Sequence, residues 1–382
     1  MLERLFQLKA HNTTVRTEVL AGITTFLTMA YILFVNPEML AKTGMDHGAV
    51  FVATCLAGAI GSLIMGLLAN YPIALAPGMG LNAFFTYTVV MTMGYSWQTA
   101  LGAVFLSGAI FFLLSIFKIR EWIINSIPLA LRAGIAAGIG LFLAIIALKN
   151  AGIVVDHPAT LVGLGDMSNG GALLACLGFF VIAALAYRKV TGAVMIGILL
   201  VTGLSIALGL SELQGVMSMP PSLMPTLLQL DIAGALDIGL ISVIFAFLFV
   251  DLFDTSGTLV GVAQKANLLD KDGKMPRLGR ALMADSTATM AGAALGTSTT
   301  TSYIESAAGI SAGGRTGLTA CVVAALFLLA LFFAPLAGAV PAYATAPALL
   351  FVAVLMMSSL TQIDWDDLTV AAPVVVAALA MP

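Results

Sequence analysis

Long apolar runs separated by short polar segments fill the chain from its first third to its end. After a polar, partly amphipathic start (MLERLFQLKAHNTTVRTE), runs of about 20 residues follow one another, the length a helix needs to cross a bilayer. The pattern predicts spans over residues 19–35, 50–69, 73–91, 97–117, 129–148, 171–187, 192–210, 239–263, 281–295, 296–310, 316–334 and 339–358. A thirteenth begins near Leu368 and breaks off at Pro382, so the chain is expected to be truncated, lacking the rest of that span and a fourteenth. A transmembrane barrel would instead show alternating segments of about ten residues.

The placement of charge tests this reading. With the N-terminus inside, the inside loops hold Arg4, Lys9 and Arg16, then Lys118, Arg120 and Arg132, then Arg188 and Lys189. They go on to hold Lys265, Lys271, Lys274, Arg277, Arg280 and Arg315, leaving only Lys42 and Lys149 of the 16 Lys and Arg outside. That asymmetry is what the positive-inside rule requires, and one missed span would scramble it. Composition agrees: 60% of the 382 residues are hydrophobic, 9% are charged, and the mean hydropathy is +1.06. Soluble domains carry about 25% charged residues. Cys55, Cys176 and Cys321 fall inside apolar runs without CxxC or Cys/His spacing, which predicts inert thiols and no metal site.

Two spans are weak, and they are informative. Residues 73–82 (IALAPGMGLN) and 296–302 (GTSTTTS) carry Pro, Gly and hydroxyl residues that suit extended backbone better than helix. Irregular backbone survives at membrane depth only where it lines a cavity or is buried in protein. Each is the third span counted from 19 and from 239. A first half of seven spans makes the two halves inverted repeats, and interrupted spans at matching positions point to a transporter's midplane site.

Acids sharpen the pointer, because a carboxylate at membrane depth costs about 3 kcal/mol on insertion scales and faces a cavity, a partner or a substrate. Asp251 and Asp254 stand three apart in AFLFVDLFDTSGT, on one helical face, with Thr255 to Thr258 beyond them. Glu305 follows the GTSTTTS break, where capping of the next half-helix is the plain account and ligand binding the sharper one. Asp285 lies close to a basic inside loop, which predicts ion pairing; Arg132 and Arg315 read as interfacial anchors. The chain contains no GxxxxGK[ST] and no HExxH, and nothing predicts a nucleic-acid partner. An intramembrane aspartyl hydrolase built on Asp251 and Asp254 would leave the repeat unexplained.

Five segments in order carry a family resemblance: TVRTEVLAGITTFLTMAYILFVNPEML (14–40), APGMGLNAFF (76–85), LFDTSGT (252–258), YIESAAG (303–309) and GGRTGLTA (313–320). The chain resembles the xanthine/uracil permease superfamily, and within it the AzgA-like purine permeases of guanine, hypoxanthine and adenine. The resemblance implies an all-α polytopic membrane protein with a 7+7 inverted-repeat fold and short midplane strands in spans 3 and 10. It implies a cytoplasmic segment 1–18, a core domain from 19–117 and 239–334, a gate domain from 118–210 and 335–382, and an outside loop 211–238. It further implies proton symport with elevator-type alternating access in a bacterial inner membrane, N-terminus cytoplasmic. The proton-motive force would drive it, with no cofactor.

The implied partners are a purine nucleobase, protons and the bilayer, with a homodimer left open. A purine is a flat disc with ring N–H donors and N or O acceptors, so carboxylates can accept from it while unwound backbone amides donate. Glu305 is expected to be the direct base ligand, and Asp254 a second ligand or the proton-coupled residue. Asn82, Thr258 and Ser302 are weaker polar candidates. Phe84, Phe85 or Tyr303 could stack on the ring, although core packing is the stronger expectation for Phe84 and Phe85. GMGLNAFF with GTSTTTSYIES looks closer to guanine/hypoxanthine carriers than to adenine ones. A related anion carrier fits less well, because two midplane acids would repel an anion.

Overall fold

The computed structural model describes residues 2–117, 128–213, 215–266, 268 and 275–380. Of the basic residues expected inside, Lys118, Arg120, Lys271 and Lys274 and the side chains of Arg132 and Lys265 lie outside this set, as does Pro382. The chain divides into two compact units, Met1–Ser126 with Met219–Ala334 and Ile127–Ser218 with Pro335–Pro382. Eight helices among the described residues are long and apolar enough to cross a membrane, and Ala193–Ala207 and Leu368–Leu379 are shorter apolar helices. The protein is a multi-pass membrane protein.

In the first unit, span 1 starts earlier than its apolar run, at Val15, because Thr14 accepts the Thr17 N–H and caps it. It is two helices, Val15–Met29 and Ile32–Ala41, broken at Ala30–Tyr31. Pro37 leaves the Leu33 carbonyl without its helical donor, and at the break itself the chain tightens into shorter bonds, Leu33 N–H to Ala30 O and Phe34 N–H to Tyr31 O. Asp46 caps His47–Ile64 by accepting from Ala49 N–H at 2.7 Å, and that helix runs on as a π-helical turn, Met65–Ala69. Glu18, fully buried, accepts from Arg315 N–H, Thr316 N–H and the Thr319 hydroxyl, so span 1 holds the start of helix Gly317–Ala330. Gly66 and Gly317 cross backbone to backbone; a Cβ on Gly317 would stand 1.9 Å from the Gly66 carbonyl oxygen.

The third span is a strand, Leu75–Pro77, then a short helix Met79–Ala83 that continues π-helically over Phe84–Thr92. Its counterpart is a strand Thr300–Ser302 followed by helix Ser306–Ser311. The strands pair antiparallel, Leu75 to Ser302, Ala76 to Thr301 and Pro77 to Thr300. The pairing is extended at both ends, by Tyr303 N–H to Ala74 O and Gly78 N–H to Thr299 O. A hydroxyl from a neighbouring helix grips each strand. Ser62 exchanges bonds with both the N–H and C=O of Leu75, and Thr289 with both of Thr300.

The second unit contains helices Leu129–Asn150, Gly170–Tyr187, Ala193–Ala207, Ala342–Met357 and Leu368–Leu379. Small residues let these pack closely: a Cβ on Gly140 would meet Ala353 O at 2.9 Å. A hairpin, Val154–His157 with Leu161–Leu164, lies between the spans predicted over 129–148 and 171–187. The segment 211–238, expected as one loop, divides, with its part up to Ser218 in the second unit and the rest in the first. There Leu228 N–H donates to Ala294 O and Asp231 N–H to Gln98 O, tying the loop to the ends of helices Leu278–Leu295 and Trp97–Ile116.

Candidate functional site

All the candidate residues lie in the first unit, gathered around the strand pair. Helix Ile238–Lys265 brings Asp254, which is half-buried; the Thr301 hydroxyl, Asp285 and Glu305 lie within electrostatic reach of its carboxylate. Gly78 leaves the room that this hydroxyl needs, since a Cβ there would sit 2.9 Å from Thr301 Oγ1.

Glu305 is also half-buried and stands at the start of helix Ser306–Ser311. It forms no side-chain cap on that helix, so capping does not explain it. Its Oε1 instead accepts from the Tyr31 hydroxyl at 2.8 Å, at the break in span 1. Tyr31 was not among the residues singled out from the sequence. The nearest signal is YILFVNP, where Pro37 marks an irregular helix within about two turns of Tyr31.

Asp285 is fully buried and takes hydroxyl and backbone donors. Its Oδ1 accepts from the Thr255 hydroxyl at 3.0 Å, from Ser302 N–H at 3.1 Å and from the Ser302 hydroxyl at 3.2 Å. Thr255 also reaches Asp251 Oδ1 at 3.3 Å, so one hydroxyl links two buried acids on different helices. The cue available was ADSTAT, a hydroxyl-rich run around one acid.

The weaker candidates are placed as follows. Ser302 is spent on Asp285. Tyr303 is buried, and its hydroxyl donates to Pro77 O across the strand pair. Asn82 is fully buried; its Nδ2 donates to Asn36 Oδ1 at 2.6 Å and its Oδ1 accepts from Ser298. Asn36 in turn donates to Thr54 and Thr297, so a buried polar network ties both breaks to helix His47–Ile64 and to span 1. Phe84 packs edge-on against Phe247, ring centroids 5.2 Å apart, as part of an apolar cluster. Thr258 is buried one turn beyond Asp254. Arg315 donates from Nη1 to Ile310 O and Gly314 O, closing the end of helix Ser306–Ser311.

An arrangement of half-buried carboxylates held by hydroxyls against unwound backbone can accept from N–H donors and can hold protons. It offers no cluster of His, Cys, Asp and Glu fit to hold a metal ion among the described residues. Comparison with known proteins agrees with a carrier. The sequence profile described as the Permease family, that of xanthine/uracil permeases, matches residues 16–382. The chain is 53% identical over 382 residues to the adenine permease AdeP of Escherichia coli K12, covering 100% of this chain and 86% of that one. It is 47% identical over 393 residues to the guanine/hypoxanthine permease PbuG of Bacillus subtilis 168, covering 100% and 89%. The transmembrane domain of a cyanobacterial bicarbonate transporter, BicA, shares the fold with a TM-score of 0.75 at 15% identity, over 96% of this chain and 94% of that one.

Proposed function

The chain belongs to the xanthine/uracil permease family and is a transporter rather than an enzyme, and from that premise we propose that it imports a purine nucleobase by proton symport. The observation that carries this reading is the meeting of Glu305 and Asp254 beside a strand pair made from two broken spans. Glu305 accepts an N–H of the base; Asp254 is a second ligand or the group that carries the proton. Such pairing is selective, because a polar group buried without its match costs about 1–3 kcal/mol. Thr258 is the remaining side chain with a free claim on the base. Asn82, Ser302, Tyr303 and Phe84 serve as its supports, since their polar atoms or rings are engaged elsewhere.

Adenine is the first cargo in this reading, because identity to the adenine permease exceeds that to the guanine/hypoxanthine one. The second reading, guanine or hypoxanthine, is favoured by the GMGLNAFF and GTSTTTSYIES segments. The unit that carries the acids moves as one body in an elevator-type cycle, and the protein sits in an inner membrane with its N-terminus cytoplasmic. The test is uptake of radiolabelled adenine and hypoxanthine in cells lacking their own purine carriers, with unlabelled guanine, uracil and sulfate as competitors. Saturable uptake that a protonophore abolishes and Glu305→Gln removes is the expected result. Uptake indifferent to the protonophore would end the symport reading, and no uptake of any base by protein verified in the membrane would end the substrate assignment.

A further inference from the structure

We propose that Tyr31 is a positioning residue that fixes which oxygen of Glu305 meets the base and the proton. This rests on the reading of Glu305 as base ligand. Tyr31 is 2% exposed, and its hydroxyl reaches Glu305 Oε1 at 2.8 Å across a sequence separation of 274 residues. The contact exists because span 1 is broken at Ala30–Tyr31 rather than running as a continuous helix. Two observations hold the break in place: the short bonds that replace helical ones after it, and the Thr28 hydroxyl donating back to Thr25 O at 2.7 Å just before it. The same Thr28 hydroxyl lies 3.5 Å from the Glu305 carbonyl oxygen, so both the backbone and the side chain of Glu305 are met from span 1.

A carboxylate has two oxygens, and Glu305 does not use either to cap its own helix. With Oε1 holding the Tyr31 hydroxyl, the geometry leaves Oε2 for a base N–H or for a proton. The two then compete for one atom, so Glu305 takes the base in its ionised form and the co-transported proton is carried on Asp254. The titratable groups that face Glu305 are Tyr31, Tyr303 and Asp254, with Asp285 behind Asp254. Of these, Tyr303 is committed to Pro77 O and Asp285 to Thr255 and Ser302, so Tyr31 is the hydroxyl directed at Glu305.

The test is Tyr31→Phe in the full chain, which keeps the ring and removes the hydroxyl, compared with the parent for base uptake as a function of pH. A hydrogen bond to a charged group accounts for roughly a ten-fold or larger change in affinity. The expected result is a rise in KM of about that size with Vmax and membrane abundance near the parent's. Without a donor on Oε1 a proton competes better for Oε2, so the rise in KM on acidification should set in at a higher pH. A fall in Vmax or abundance with unchanged KM would show a structural role only and overturn the proposal; so would a raised KM with an unmoved pH profile. A second measurement needs no base: melting of the purified protein in a cycle of Tyr31→Phe, Glu305→Gln and the double variant. Additive effects overturn the proposal even if the parent transports nothing, whereas a parent that transports no base counts against the purine reading alone.

Discussion

Asp285 holds three donors from two elements with one oxygen, and the strand Thr300–Ser302 has its last residue fastened by it. Asp285→Ala would orphan the buried Ser302 N–H, at a cost of about 1–3 kcal/mol. We expect a lowered melting temperature and loss of uptake. Asp285→Asn, which keeps an acceptor oxygen, should melt near the parent, and any transport defect it retains then belongs to the charge. An alanine variant that melts and transports like the parent would remove Asp285 from the account. Asp254 and Glu305 were legible in the sequence because ionised groups in apolar spans are rare and need a reason. The partner that orients Glu305 was not, since Tyr31 is an ordinary aromatic in an apolar run and its contact spans 274 residues. The hydroxyls that Asp285 meets were hidden likewise, since Thr255 lies 30 residues away and Ser302 lies on another element.

At the scale of elements, the two broken spans share a device. Ser62, on the helix before the first strand, bonds both backbone groups of Leu75; Thr289, on the helix before the second, bonds both of Thr300. Strand backbone away from its partner needs such donors and acceptors, because bilayer depth offers no water to satisfy it. Ser62→Ala and Thr289→Val should each cost about 1–3 kcal/mol of stability, read as a fall in melting temperature in detergent. Similar losses for both are expected if the two strands are equivalent parts of an inverted repeat; a loss for one alone would argue that the resemblance between them is local. A control separates backbone support from tight packing. Gly317→Ala should destabilise by about 1–3 kcal/mol, because its Cβ has only the Gly66 backbone to displace. Gly338→Ala, with open space around it, should be neutral. The breaks themselves could be read from Pro, Gly and hydroxyl composition. The hairpin Val154–Leu164 could not, since its residues are mostly exposed and show no buried face to set a period. The bend in span 1 was hidden too, because Ala30 and Tyr31 stand in an unbroken apolar run.

The whole molecule separates polar from apolar interiors. Among the described residues, the buried polar side chains of the second unit are Thr202, Ser205 and Thr345, whereas the first unit buries Glu18, Asp251 and Asp285 with many hydroxyls. A carrier that recognises a base by hydrogen bonds therefore has its chemistry in one unit, although the chain enters that unit twice. That discontinuity also makes orientation a sharp test, since every span must be threaded correctly for both visits to meet. Moving Lys or Arg through the bilayer centre costs about 2.5–3.5 kcal/mol per residue, so the basic loops are expected to lie on the inside. With Cys55, Cys176 and Cys321 replaced by serine, a cysteine introduced at Ser168 should react with a membrane-impermeant maleimide in intact cells. One at Arg188, at the other end of helix Gly170–Tyr187, should react only after permeabilisation. The opposite pattern would place the N-terminus outside. It would also set all but two of the chain's Lys and Arg residues on the wrong side of the membrane, and the count of spans, rather than the charge rule, would have to give way.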